Sequence, residues 1–376
     1  MEYDVLAFIG RFQPFHMGHK AVVDTALTRS KKVGLVIGSD QQPRTARNPF
    51  TTQERIEMIS AVYPDAVASG ALHFVPQVDR VYNLQRWIGG IQTGIMTVAN
   101  TPFTPDPVRT GLIGHSKDTS SFYLKSFPTW DAIEVPNFNN LNATDIRRSF
   151  FADANWNERY GDFIPEQVRH FLNGFEATLA FEDMCAEQEH LLEYGKQFIR
   201  PSDEEIVKFV SDDYGGEDAI ATRLLTEFAN KYCPKYPPVF YTADAIVVQS
   251  GHILMVKRGA QPGKGLWALP GGFVNRYESP RQAAVRELKE ETKINLHPDT
   301  LNRSITSWRV FDDPYRSQRG RTVTTAYKIE LRDSETLPDI KGSDDAEKAK
   351  WVPIGNLKRE IMFEDHYDII EAMVNI

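Results

Sequence analysis

The chain has 376 residues, too many for one average core, and its 41% hydrophobic and 25% charged residues are those of a globular protein with two domains. No apolar run approaches the roughly 18 residues of a membrane span, and the start MEYDVLAFIGRF lacks a basic segment followed by a long apolar stretch. With a net charge of −8 and no basic block, neither a membrane nor a nucleic acid is an expected partner, and the expected location is cytoplasmic.

Short apolar runs open the chain: DVLAFIG, VGLVIGS, LHFVPQ, GLIGH and AIEVPN, separated by helical patterns such as HKAVVDTALTRS and TTQERIEMISAVY. This alternation predicts a doubly wound parallel sheet, whose ligands bind beyond the carboxyl ends of the strands. At the first such end stands GRFQPFHMGH, with His16 and His19 separated by Gly18 and preceded by Pro14. Each imidazole can donate a hydrogen bond to a phosphate oxygen, and a helix N-terminus adds partial positive charge, so the pair suits phosphoryl transfer without a protein nucleophile. A single histidine would usually be an ordinary surface residue. His-x-Gly-His directly after a strand is a far more specific pattern.

GRFQPFHMGH resembles the signature of the HxGH nucleotidyltransferase superfamily, and its RFQPFH form is similar to nicotinamide mononucleotide adenylyltransferases of the archaeal type. ARNPFTTQER, RVYNLQRW and GHSKDTSSFYLKSFP extend the resemblance, and NATDIR stands where the family has a motif near ISxTxxR, with Asn142 and Ala143 at the serine positions. The resemblance implies that His16 and His19 bind ATP phosphates, with His19 the weightier at the transition state, and that Arg11 and Arg147 neutralise the triphosphate. Gly10, Phe12, Gly18, Gly114, Asn142 and Thr144 would complete the ATP site, and Thr144 would also cap the helix it opens. Arg47 would take the phosphate of nicotinamide mononucleotide, and Trp87 would stack on the cationic nicotinamide ring; the plainer alternative for Trp87 is a core aromatic. The implied reaction is in-line attack of the mononucleotide phosphate on the α-phosphorus of ATP, assisted by magnesium, giving NAD.

Next comes an acidic connector. From Glu182 to Asp218 there are 12 acidic residues against 3 basic ones, a balance of −9 that accounts for the charge of the whole chain. Ser202 with Glu205 forms a capping box, Ile220, Leu224 and Phe228 recur at helical spacing, and Pro234, Pro237 and Pro238 stop any helix. The expected organisation is a nucleotidyltransferase domain over 1–185, an acidic helical connector over 186–237, and a second domain over 238–376. Cys185 and Cys233 are too few and too far apart for a metal or redox motif and are expected to be reduced.

The second domain begins with two β-type runs, VFYTADAIVV and ILMVKR, joined by the hairpin signal QSGH. After LWALPGGF a helix pattern starts at Ser279, and on it Glu287, Glu290 and Glu291 fall at i, i+3 and i+4, on one face. Such glutamates usually form a solvated face paired with lysines, here Lys289 and Lys293; alternatively they hold a hard divalent cation such as magnesium, with manganese as the substitute ion. From Gly272 through Glu278 to Arg286-Glu287-Leu288-x-Glu290-Glu291 the spacing resembles the Nudix box, with Lys293 where that box ends in a glycine, a position expected to be left-handed. An α+β Nudix fold, with Gly272 and the three glutamates at the metal, is implied.

WRVFDDPYRSQRGRTVTTAY and FEDHYDII resemble the Nudix domains fused to this type of adenylyltransferase, which commonly hydrolyse ADP-ribose to AMP and ribose 5-phosphate. Arg316, Arg319 and Arg321 would then face the diphosphate. Glu291 is the implied catalytic carboxylate, and Asp344, Asp345, Glu364 and Asp365 are further candidates for the general base. The expected ligands are ATP, nicotinamide mononucleotide, NAD and ADP-ribose, and self-association is left open. Two rivals are a nucleotidyltransferase with another acceptor and a Nudix domain that senses metabolites without catalysis.

Overall fold

The apolar runs at the start of the chain become strands in the computed structural model, which describes residues 1–99, 108–114, 126–139, 141–196, 238–341, 346–374 and 376. Strands β1 (Tyr3–Gly10), β2 (Ser30–Ile37), β3 (Leu72–Pro76), β4 (Thr110–Gly114) and β5 (Asp131–Glu134) form one parallel sheet in the order β3-β2-β1-β4-β5. Alternate residues of β1 serve opposite cores. Leu6 and Phe8 pack with the helices Met17–Arg29 and Thr52–Val62, whereas Val5, Ala7 and Ile9 pack on Ile91 and Ile95 of the helix Leu84–Ala99. Chain order reverses between β1 and β4, so the ligand crevice of such a sheet falls where Gly10 and Gly114 end those strands.

The second half is a mixed sheet of β6 (Phe240–Gln249), β7 (His252–Arg258), β10 (Ile305–Phe311), β11 (Thr322–Glu330) and β12 (Ala346–Pro353) in the order β10-β11-β6-β7-β12. Short strands β8 (Trp267–Ala268) and β9 (Gly271–Phe273) pair with β7 and β6, and the expected hairpin closes with Gln249 opposite His252. Only β11 and β6 run parallel among these pairs. Ala245 and Val247 face Val285 and Leu288 of the helix Pro280–Thr292; Ile246 and Val248 face Ile369 and Ile370 of the helix His366–Val374. The period-2 alternation of one strand thus fixes which helix lies on which face.

Two details depart from what composition suggests. The helix Leu179–Lys196 runs unbroken past residue 185, and its Glu187 is only 2% exposed. The Ala46 N–H donates to Glu187 Oε2 at 2.6 Å, and the Gln318 amide donates to Oε1 at 3.4 Å, so an acid that looked like part of a solvated run ties the two halves together. The rest of the connector, residues 197–237, with its capping box, its prolines and Cys233, lies outside the described residues. Cys185 is a free thiol.

Lys293 ends the helix Pro280–Thr292 at φ 49° and ψ 31°, the left-handed conformation expected of a glycine position, with its N–H on the Lys289 carbonyl at 3.0 Å. A side chain there costs roughly 1 kcal/mol. Lys293→Gly should therefore stabilise the protein by about that amount. The check is a higher denaturant midpoint at unchanged slope, and an unchanged or lower midpoint would mean that the lysine charge at the helix end outweighs the backbone strain.

Candidate active sites

His16 and His19 occupy the first turn of the helix Met17–Arg29, immediately beyond β1, in a reciprocal cap. The His19 N–H donates to His16 Nδ1 at 3.4 Å, and the His16 N–H donates to His19 Nδ1 at 3.3 Å. With Nδ1 accepting in both rings, each neutral imidazole carries its proton on Nε2, the donor a phosphate oxygen needs. The rings stack at 3.7 Å. Gly18 favours this arrangement: a Cβ there would stand 3.0 Å from His16 Cε1 and press on the ring. Phe12, buried at φ 52°, packs edge-on against His19 at 5.0 Å between ring centres, so its place in the site is to wall the imidazole.

Arg147 donates to the Gln13 carbonyl at 2.6 Å and to Thr144 Oγ1 at 3.2 Å. The cap of its helix, Ala143–Ala152, is Asn142, whose Oδ1 accepts from the Asp145 N–H at 3.0 Å; Thr144 lies one turn position inside and serves Arg147 instead. Burial, then the charges of Arg11 and Arg47, depresses Arg147 to about 9. Burial, then Arg47, depresses Arg11 to about 10 against the pull of Asp79. Cations crowded in this way are relieved by a polyanion, which is what a triphosphate supplies.

Arg11 and Arg47 also line a cavity of about 350 Å³ between the two halves, with Trp87 on the first side and Tyr315 and Arg316 on the second. Arg47 donates to the Tyr315 carbonyl at 2.6 Å. Trp87 packs toward Phe127 at 6.4 Å and also lines the cavity, so one indole combines a packing role with a face on the cavity.

A second cavity, of about 210 Å³, lies in the C-terminal half and takes in Gly272, Glu291, Arg316, Arg319 and Glu364. Arg321 is not among its lining residues and donates to the Asp312 carbonyl. Glu291 accepts the Gly271 N–H at 3.1 Å, and burial, then the charges of Glu287 and Asp244, pushes it up to about 8. Gly272 makes room for Glu287, since a Cβ there would meet Glu287 Oε1 at 2.4 Å. Neither lysine pairs with the three glutamates as expected of a solvated face. Arg286 pairs with two of them, donating to Glu287 at 2.7 Å and to Glu290 at 3.0 Å, and also donates to Glu278 at 2.6 Å, while Lys289 reaches the Leu296 carbonyl. Among the described residues no three metal-binding side chains converge on a point. The donors still fit a hard cation: they are carboxylate oxygens, with Glu291 and Gly272 lining the cavity and Glu287 lying against Gly272.

Among the described base candidates, Glu364 lines the cavity and accepts from the Ser317 hydroxyl at 2.8 Å and the Gln318 N–H at 3.1 Å. Asp365 instead takes both arms of Arg316 at 2.9 Å, and Asp344 and Asp345 lie outside the described residues. Two residues of this cavity were missed. Asp244 is buried and accepts from Thr324; its signal was a lone acid inside the apolar run YTADAIVV. His366 accepts the Leu269 N–H on Nδ1 at 2.9 Å, and burial, then Arg316, holds it well below its ordinary value, hence neutral. It sits within FEDHYDII, beside the acids Glu364, Asp365 and Asp368 that carry the stronger sequence signal.

A parallel sheet with paired imidazoles at its switch point, followed by a mixed sheet with a glutamate-lined cavity, defines a nucleotidyltransferase joined to a Nudix domain. Residues 7–71 match the cytidylyltransferase-like family and residues 240–373 the NUDIX domain. The chain is 34% identical over 184 residues to the nicotinamide/nicotinic acid mononucleotide adenylyltransferase of Acinetobacter baylyi, covering 49% of this chain and 92% of that one. It is 35% identical over 128 residues to the ADP-ribose pyrophosphatase of Methanocaldococcus jannaschii, covering 34% and 69%. A crystal structure from Francisella tularensis, a bifunctional NMN adenylyltransferase/ADP ribose pyrophosphatase complexed with AMP and Mn ion, aligns with a TM-score of 0.79, 33% identity and 99% of both chains covered. The chain belongs to the family of bifunctional NMN adenylyltransferase/ADP-ribose pyrophosphatases.

Proposed function

We propose that this chain makes NAD by transferring AMP from ATP to nicotinamide mononucleotide, and that its second domain hydrolyses ADP-ribose to AMP and ribose 5-phosphate. The observation that carries the first activity is the stacked His16–His19 pair, each ring accepting on Nδ1, beside arginines whose protonation burial, then their mutual charge, disfavours. In this reading a phosphate oxygen of the mononucleotide attacks the α-phosphorus of ATP, and the bond to pyrophosphate breaks in line. His19, with His16 beside it, donates to the phosphate oxygens as charge builds, and Arg11 and Arg147 hold the triphosphate. Gly10, Gly114, Asn142 and Thr144 frame the ATP site, and Arg47 and Trp87 take the mononucleotide. Phosphopantetheine or sugar-phosphate acceptors are not favoured, given the relatives' specificities and a cavity that offers an indole beside an arginine.

In the second domain Glu287, Glu290 and Glu291 with Gly272 would hold the divalent ion, magnesium in the cell, with manganese able to replace it. When bound, the ion offsets diphosphate charge and makes water a better nucleophile. Arg316 and Arg319 orient the diphosphate, and Glu364 is placed to accept the proton of water. Arg321, held on the Asp312 carbonyl and outside the cavity lining, is given no part in this assignment. The domain limits proposed are 1–185, 186–237 and 238–376, with the helix Leu179–Lys196 crossing the first of them, and the proposed location is the cytoplasm.

Product identification tests both activities. ATP, magnesium and nicotinamide mononucleotide should yield NAD and pyrophosphate, and ADP-ribose should yield AMP and ribose 5-phosphate. AMP transfer only to some other acceptor, with no NAD formed, or no turnover of any Nudix substrate, would refute the respective half. Trp87→Ala should weaken mononucleotide binding by about 0.5–2 kcal/mol with little change for ATP. Equal losses for both substrates, with a lower melting temperature, would assign the indole to packing alone.

A further inference from the structure

The two cavities share a wall: Arg316, Phe363 and Glu364 line both. Asp365, which lines the first cavity only, takes the Arg316 Nε–H and Nη2–H at 2.9 Å each, and the two side chains are 3% and 4% exposed. A pair buried this deeply keeps its geometry only when the remaining lone pairs also find donors. The next donor comes from the other half of the molecule. The Tyr82 hydroxyl donates to Asp365 Oδ2 at 2.5 Å. Burial, then the Asp365 charge, raises the phenol well above its ordinary value, so it remains a donor. Its ring packs edge-on against Phe311 at 4.8 Å within the apolar cluster of the C-terminal domain, and Arg80 and Arg86 on either side of it both bind Glu371.

A phenylalanine would fill the same space, so packing alone does not account for the hydroxyl. We propose that Tyr82, supplied by the adenylyltransferase domain, is a positioning residue of the hydrolase: its hydroxyl fixes Asp365, and Asp365 fixes the Arg316 guanidinium against the substrate diphosphate. The inference rests on the reading of Arg316 as a diphosphate ligand. It makes the ADP-ribose site a product of both domains.

The test is a double-mutant cycle in the full chain with Tyr82→Phe, Arg316→Lys and the pair. Tyr82→Phe should raise KM for ADP-ribose roughly 10-fold, the scale of one hydrogen bond to a charged group. Its kcat should change less, NAD synthesis should hold, and melting temperature should fall only modestly. Arg316→Lys should also raise KM, and adding Tyr82→Phe to it should change nothing further, a non-additivity that general loosening would not produce. If Arg316→Lys raises KM but Tyr82→Phe does not, the role of Tyr82 is overturned and the diphosphate reading stands. If Arg316→Lys leaves KM unchanged, that reading itself fails. Additive effects, or a Tyr82→Phe protein with a lower melting temperature and both activities reduced, would also overturn the proposal.

Discussion

His19→Ala should lower NAD synthesis about 100- to 1,000-fold while ADP-ribose hydrolysis continues at the wild-type rate. The loss follows from removing a pre-aimed Nε2–H donor from the place where phosphate charge builds. The substitution also deletes Nδ1, which accepts the His16 N–H at 3.3 Å. Loss of a cap costs about 1 kcal/mol, too little to unfold a domain, so melting temperature should shift only modestly. Hydrolysis serves as the internal control, because its cavity is lined entirely from residue 242 onward. NAD synthesis at an undiminished rate would remove the histidine pair from the chemistry.

Glu290→Gln should reduce ADP-ribose hydrolysis about 10- to 100-fold and raise the magnesium concentration needed for half-maximal rate, since a ligand keeps its shape but loses the charge that a hard cation requires. Folding is expected to survive. Glu290 is 57% exposed in its pair with Arg286 at 3.0 Å, and such exposed pairs contribute at most about 1 kcal/mol. Arg286 keeps Glu278 and Glu287 as partners in the mutant. NAD synthesis should be unaffected. The measurement is a magnesium titration of wild type and mutant; hydrolysis that persists in a chelator, or mutant and wild-type curves that coincide, would sink the metal assignment.

The sheet of the first half was legible because its signal is local: each of the apolar runs overlaps an observed strand, and HKAVVDTALTRS and TTQERIEMISAVY are helices. The Nudix half announced itself through spacing alone, and even the left-handed turn at Lys293 was foreseeable from a position that usually holds glycine. What stayed hidden depends on contacts across the chain. Nothing near Glu290 in sequence says that Arg286, rather than a lysine, neutralises the glutamates, since both lie within one helical turn. Glu187 reads as solvated because its neighbours are acidic, and only the folded chain brings the Ala46 N–H to it. His366 is invisible for the same reason, its acceptor role being defined by Leu269, 97 residues away.

Tyr82 lies 283 residues before its partner Asp365, and its ring belongs to the same apolar cluster as Met255, Ile369 and Ile370. During synthesis the first domain is complete before any strand of the second exists, so the tyrosine is already presented on a folded surface when the later strands emerge. The second core then closes around a fixed template, and the entropy of bringing together two distant points of a loose chain is spent before that step. The order of the domains along the gene therefore has a physical sense: with the hydrolase first, its core would wait, with Phe311 uncovered, for a side chain not yet made.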